Sequence, residues 1–145
     1  MAESLSIRLL DEASAAVRLR AAGIQPTRQR LRIAQILLTG NQHLSADQVL
    51  ERVNHIGKPV SKATVYNTLG LFAARGILRE VIIDPNRVFY DTNSVPHHHV
   101  YNTATGELSD IALDRALTGQ LPELPAGTEL ESVEVVIRVR PVEPA

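Results

Sequence analysis

The chain has 145 residues, 44% of them hydrophobic, a net charge of −1 and no cysteine. That length holds one ordinary domain or two small ones, the missing cysteines exclude disulfides and thiolate metal sites, and no apolar run approaches the roughly 18–20 residues of a membrane span. The small net charge conceals an asymmetry: residues 1–80 carry 11 Lys/Arg against 6 Asp/Glu, a net +5, and residues 81–145 carry 4 against 10, a net −6. A basic front half suits contact with a polyanion.

With two Phe, three Tyr and no Trp, any core is aliphatic. Residues 7–22 read as a helix with Ile7, Leu10, Ala13 or Ser14, Val17 and Ala21 on one stripe, ended by Gly23. Arg8, Asp11 and Glu12 interrupt any signal-peptide core there, so a cytoplasmic protein without a membrane partner is expected. Thr27 is placed to cap a second helix, residues 28–38, whose first turn carries Arg28, Arg30 and Arg32. Cations at a helix start oppose the macrodipole by roughly 0.3 kcal/mol or more each, which points to another role, phosphate contact. Gly40, Asn41 and Gln42 form a turn that sets His43 just ahead of a third helix. Ser45 and Gln48 have the spacing of a capping box, with Ala46, Val49 or Leu50, Val53 and Ile56 on the buried face.

After Gly57, Lys58 and Pro59, Ser61 caps a fourth helix, residues 62–75, closed by Gly76. Val65, Leu69 and Phe72 face inward, while Ala63, Asn67, Gly70 and Ala74 lie opposite, flanked by Thr64 and Tyr66. Two helices joined by a short turn, the second small and polar outside, make a helix-turn-helix. Residues 77–83 and 87–91 read as strands around the turn residues Asp84, Pro85 and Asn86, a hairpin in the position of a wing. Farther on, residues 99–101 and 107–109 are expected to pair, and 111–118 to form a short helix. A last strand follows from Val133, Val135, Ile137 and Val139 alternating with Glu134, Val136, Arg138 and Arg140. This second half is small for independent stability, which a subunit interface would resolve.

Three consecutive histidines, His97, His98 and His99, follow a hinge at Ser94, Val95 and Pro96. In extended chain, side chains two apart share a face. His97 and His99 then form a pincer, His98 points to the other side, and Asp91 and Asp110 flank the pair. Imidazole nitrogen with carboxylate oxygen suits divalent iron, manganese, cobalt or zinc.

Three segments resemble the ferric uptake regulator superfamily in the right order: Pro26-Thr27-Arg28-Gln29-Arg30-Leu31, Val60-Ser61-Lys62-Ala63-Thr64-Val65-Tyr66-Asn67-Thr68-Leu69, and residues 87–91 leading into His97-His98-His99. The likeness covers residues 23–139. It implies an α+β protein with an N-terminal winged helix-turn-helix domain over residues 1–90 and a hinge over 91–96. A small α/β dimerisation and sensing domain over 97–145 completes it. The implied function is an iron-responsive transcriptional regulator, a repressor, that binds palindromic double-stranded operator DNA as a homodimer. The implied metal ligands are His43, Asp91, His97, His99 and Asp110, for iron or manganese, with zinc also compatible. An ion joining His43 to the later ligands would set the angle between the domains and thus the spacing of two recognition helices. The implied DNA-binding residues are Arg28, Arg30, Ser61, Lys62, Thr64, Tyr66 and Asn67.

Two positions depart from the family pattern. Asn102 and Thr105 stand where a CxxC pair usually contributes to a structural zinc site, so no four-cysteine zinc is expected. Asn67 stands where most relatives carry Arg, which changes the implied base contacts. Loss of CxxC together with the histidine triplet is similar to the iron response regulator branch, whose members respond to haem. In this chain haem would have to be held by His97, His98 or His99. A manganese- or other metal-responsive regulator is the near alternative. A non-haem metalloenzyme using Asp91, His97 and His99 is the alternative from another class, but no nucleophile elbow or phosphate-binding glycine loop accompanies it. A DNA-binding protein with purely structural histidines is the third.

Overall fold

The computed structural model describes residues 8–84, 86–92, 97–111 and 121–143, and the chain divides into two units, residues 1–94 and 95–145. The first unit contains α1 (Glu12–Ala21), α2 (Arg28–Leu37), β1 (His43–Ser45), α3 (Ala46–Ile56), α4 (Lys62–Ala74), β2 (Arg79–Asp84) and β3 (Arg87–Asp91). Each helix begins at a side-chain cap: Asp11, Thr27, Ser45 and Ser61 accept the amides of Ser14, Arg30, Gln48 and Thr64. At α3 the capping box is complete, since the Ser45 amide also donates to Gln48 Oε1 at 2.9 Å. A cap of this kind is worth ~1 kcal/mol. At the other end, α1 and α4 close alike. Gly23 and Gly76 take φ of 75° and 77°. The following residues, Ile24 and Ile77, donate back to Leu19 and Phe72, the six-to-one bond of a Schellman closure that only glycine enters without strain.

These ends fix which faces meet. Leu19, Ile33, Leu37, Val49, Val53, Val65, Leu69 and Phe72 are wholly buried in one cluster, and burying each such side chain stabilises by ~1.5–3 kcal/mol. The inward faces expected for the third and fourth helices are therefore the observed ones. The first helix differs. It starts at the Asp11 cap, and Ala15 and Leu19 are its buried residues, whereas Val17 is 64% exposed and Ala13 and Ala21 face solvent. Alanines fit either environment, so the periodicity of this segment carried little information. Ile7 lies outside the described residues.

The sheet of the first unit has the order β1-β3-β2, all antiparallel. The hairpin expected from residues 77–91 is present as β2 and β3. The spacing predicts a turn leading straight into the helix at Ser45, but His43, Leu44 and Ser45 form β1 against β3. Three residues are too few to show a period, and only Leu44, buried beneath the sheet, marks the strand. The Gln42 amide donates to Thr92 Oγ1 at 2.9 Å, and the Thr92 hydroxyl donates to the Gly40 carbonyl at 2.9 Å. The Gln42 side chain in turn binds the Ile36 and Leu37 carbonyls and accepts from Arg52. β1 is thereby tied to the end of α2 and to α3.

In the second unit, β4 (His98–Asn102) lies between β5 (Leu108–Ile111), antiparallel, and β6 (Val136–Val139), parallel. The β4–β5 turn is knitted by Asn102 and Thr105. Asn102 Oδ1 accepts the amides of Ala104 and Thr105 at 3.0 and 3.1 Å, and Thr105 Oγ1 accepts that of Glu107. The last strand is shorter than its alternation implied, 136–139, although the Val135 carbonyl still accepts the His99 amide at 3.0 Å. The helix expected over 111–118 lies, apart from Ile111, outside the described residues, as do Pro85 and the hinge residues Ser94, Val95 and Pro96. Ile111 itself belongs to β5.

Candidate metal centre and nucleic-acid face

In the first unit the register of β1 on β3 sets His43 opposite Asp91. His43 Nε2 lies 3.2 Å from Asp91 Oδ2, and the Asp91 carboxylate is wholly buried. A buried carboxylate needs a cation or strong donors around it, and an imidazole is the group the ladder supplies.

In the second unit the register of β4 on β5 sets His99 opposite Asp110. Asp110 Oδ1 lies 2.9 Å from His97 Nε2 and 3.6 Å from His99 Nε2. The two rings meet edge to face with centroids 4.5 Å apart, as side chains two apart on extended chain should. His98 turns elsewhere: its Nδ1 accepts the Val135 amide at 3.0 Å. The far nitrogen of His99, Nδ1, lies 3.5 Å from Glu134 Oε1. In the sequence Glu134 reads only as the polar residue of an alternating strand. The parallel pairing that brings it to β4 leaves no local signal.

Each unit therefore holds a cluster of imidazole nitrogens and carboxylate oxygens, His43 with Asp91 in one and His97, His99 and Asp110 in the other. Nitrogen and oxygen donors of this kind fit a borderline divalent transition metal.

The remaining candidates lie in the first unit. On α4, Lys62, Tyr66 and Asn67 are exposed and Thr64 half-buried, while Val65, Thr68, Leu69 and Phe72 face the core. Ser61 is the cap of this helix, and its hydroxyl also donates to Thr64 Oγ1 at 2.8 Å. The Tyr66 hydroxyl donates to Asp47 Oδ1 at 3.2 Å, and Lys62 Nζ stands 3.8 Å from the same oxygen and 5.4 Å from the Tyr66 ring centroid. The first turn of α3 thus steadies the first turns of α4. On α2, Arg28 is exposed, Arg30 donates to the Gln25 carbonyl at 3.1 Å, and Arg32 to the Lys58 carbonyl at 2.7 Å. Two of the three arginines at that helix start have intramolecular work, which the sequence did not disclose.

A helix-turn-helix followed by a two-stranded wing, with histidine–carboxylate clusters on both sheets, defines a winged-helix protein with a transition-metal type of donor set. The chain belongs to the Ferric uptake regulator family, whose pattern it matches over residues 21–138. Its fold class is accordingly α+β, an N-terminal winged-helix domain followed by a small α/β domain. Among characterised relatives it is similar to the peroxide-responsive repressor PerR of Staphylococcus aureus, 32% identical over 92 residues, which are 63% of this chain and 62% of that protein. The matched region thus spans less than two thirds of that relative's length. Among solved structures it resembles the ferric uptake regulator of Pseudomonas aeruginosa with manganese, at 30% identity and a TM-score of 0.67, covering 92% of this chain and 100% of that one. It also resembles the ferric uptake regulator of Francisella tularensis with iron, at 26% identity and a TM-score of 0.71, covering 81% and 92%. Members of this family are transcription regulators, not enzymes. Among the described residues no helix is long and apolar enough to cross a membrane.

Proposed function

We propose that this chain is a metal-responsive transcriptional regulator in which one divalent ion is held jointly by His43, Asp91, His97, His99 and Asp110. The observation that carries the proposal is the pairing of imidazole with carboxylate in both units, at His43–Asp91 and at His97–His99–Asp110. Neither cluster alone offers a full coordination shell. Together they supply three nitrogens and two oxygens, a set suited to iron, manganese or zinc. Only five residues lie between Asp91 and His97 in the chain, so a single ion drawing on both sets would constrain the connection between the units. Iron and manganese are favoured because the two solved relatives quoted above carry those metals.

The DNA-binding reading takes α4 as the recognition helix, with Tyr66, Asn67 and Thr64 toward base edges and Lys62, Ser61, Arg28 and Arg30 toward phosphates. The basic character of the first half supports it, as does the small, exposed outer face of α4. The regulator acts as a homodimer on a palindromic operator, with the C-terminal sheet contributing to the two-fold contact, and it represses. Asn102, Thr105 and the histidine triplet align it with the iron response branch. Haem is the weaker effector, since His99 is wholly buried and His98 already accepts a backbone amide through Nδ1.

The test is binding to duplexes selected from a randomised pool, measured with and without Mn²⁺ or Fe²⁺. The ion should tighten binding to the selected duplex, and His97→Ala should abolish the response while the metal-free variant keeps its fold. Binding that is indifferent to every divalent ion would refute the proposal.

A further inference from the structure

We propose that Glu134 is a positioning residue for His99, holding the ring proton on Nδ1 so that Nε2 offers its lone pair to the divalent ion. The inference rests on the metal-regulator reading above and names a residue that the ligand set does not contain. His99 is wholly buried, so bulk water does not choose its ring orientation or tautomer. Its two nitrogens face different carboxylates: Nε2 lies 3.6 Å from Asp110 Oδ1 beside the His97 ring, and Nδ1 lies 3.5 Å from Glu134 Oε1. A carboxylate only accepts hydrogen bonds. Asp110 Oδ1 already stands 2.9 Å from His97 Nε2 and belongs to the proposed ligand set, whereas Glu134 lies outside that set. Nδ1, beside Glu134, is therefore the favoured seat of the proton, and Nε2 becomes the donor to metal. Histidine ligands backed by a carboxylate in this way are held in one tautomer and made more basic.

Glu134 is in place because the segment ahead of β6 is fastened to β4. The His99 amide donates to the Val135 carbonyl at 3.0 Å, the Val135 amide donates to His98 Nδ1 at 3.0 Å, and His99 pairs with Val136 in the parallel ladder. This gives the middle histidine of the triplet a use. His98 faces away from the Asp110 cluster and pins the backbone on either side of which Glu134 and β6 emerge.

The experiment uses the full chain, ¹⁵N-labelled at histidine. Two-bond ¹H–¹⁵N correlations report the His99 tautomer without metal, and calorimetric titration with Mn²⁺ reports affinity, for the wild type, Glu134→Gln and Glu134→Leu. The wild type should show His99 protonated at Nδ1. Glu134→Gln keeps an acceptor oxygen and should keep both the tautomer and most of the affinity. Glu134→Leu should lose the tautomer preference and roughly 10–100-fold in affinity, with an unchanged circular dichroism spectrum. If the Leu variant does not fold, the wild-type tautomer and the Gln variant decide the matter. A wild-type His99 protonated at Nε2, or a folded Leu variant that binds Mn²⁺ like the wild type, would overturn the inference. Loss of binding in Glu134→Gln as complete as in Glu134→Leu would also overturn it, by making Glu134 a ligand. A wild type that binds no divalent ion refutes the regulator reading itself, whatever tautomer His99 adopts.

Discussion

Thr92→Val isolates one joint of the first unit. The Thr92 hydroxyl accepts the Gln42 amide and donates to the Gly40 carbonyl, both at 2.9 Å, and the Thr92 amide donates to the Gln42 carbonyl at 3.2 Å. Valine keeps the shape of the side chain and removes only the first two bonds. The Gly40 carbonyl, on an exposed residue, recovers with water, whereas the Gln42 amide, on a half-buried residue, loses a partner it cannot easily replace. A net hydrogen bond is worth ~0.5–1.5 kcal/mol and a stranded buried donor costs ~1–3 kcal/mol, so the joint should weaken by about 1–3 kcal/mol in all. That raises the local opening constant roughly 5- to 150-fold. Native-state hydrogen exchange at the Thr92 amide reads this directly. The same assay reaches the metal proposal, because His43 and Asp91 are the next residues inward on the two strands. An ion held between them at about 100 times its Kd should restore ~2.7 kcal/mol of protection. Unchanged Thr92 exchange in the variant would refute the structural reasoning. Exchange that stays fast in saturating ion would refute the role given to His43 and Asp91.

Four further outcomes are expected. Gly76→Ala places a side chain at φ 77°, where nothing lies within 4 Å of the added carbon. The cost is therefore backbone strain alone, roughly 1–2 kcal/mol in chemical denaturation. Tyr66→Ala should weaken binding to a selected duplex more than to random duplex, and Lys62→Ala should weaken both and flatten the salt dependence by about one phosphate contact. Equal losses in the two Tyr66→Ala measurements would count against base contact. His98→Ala removes the acceptor of the Val135 amide and should cost the second unit ~1 kcal/mol. Mn²⁺ should still bind, since His98 is outside the ligand set, but more weakly, because the backbone that carries Glu134 is less firmly held. The Tyr90 hydroxyl is held above the ordinary phenol value by burial, then by the charge of Glu80 and that of Tyr66. A raised value in the folded chain means stability is complete below the unfolded value of ~10 and declines as pH rises through the folded one. Alkaline unfolding that is insensitive to Tyr90→Phe would contradict this.

Much of the fold was legible because helix ends are written locally. Thr27, Ser45 and Ser61 cap as their positions implied, and Gly23 and Gly76 end helices by the one backbone conformation other residues avoid. The inward faces of α3 and α4 followed from 3.6-residue spacing of bulky apolar side chains. The alanine-rich α1 defeated the same method, because alanine is at home on either face. β1 and the seat of Glu134 were illegible for a different reason. A three-residue strand has no period, and a parallel partner 37 residues away leaves no trace near His98. The pairing of His97 with His99 could be read from a two-residue repeat. What His98 Nδ1 and the far nitrogen of His99 meet, the Val135 amide and the Glu134 carboxylate, depends on pairing that sequence alone does not specify.

One ion drawing ligands from both units is central to the proposed regulation. Titration of the metal-free chain with Co²⁺, followed by its d–d absorption, tests this most directly when the wild type is compared with His43→Ala and His97→Ala. One ion per chain should bind the wild type, and either substitution should change the spectrum and weaken binding, because each removes a nitrogen from the same ion. A His43→Ala chain with the wild-type spectrum, stoichiometry and affinity would contradict the shared site and confine the ion to the second unit.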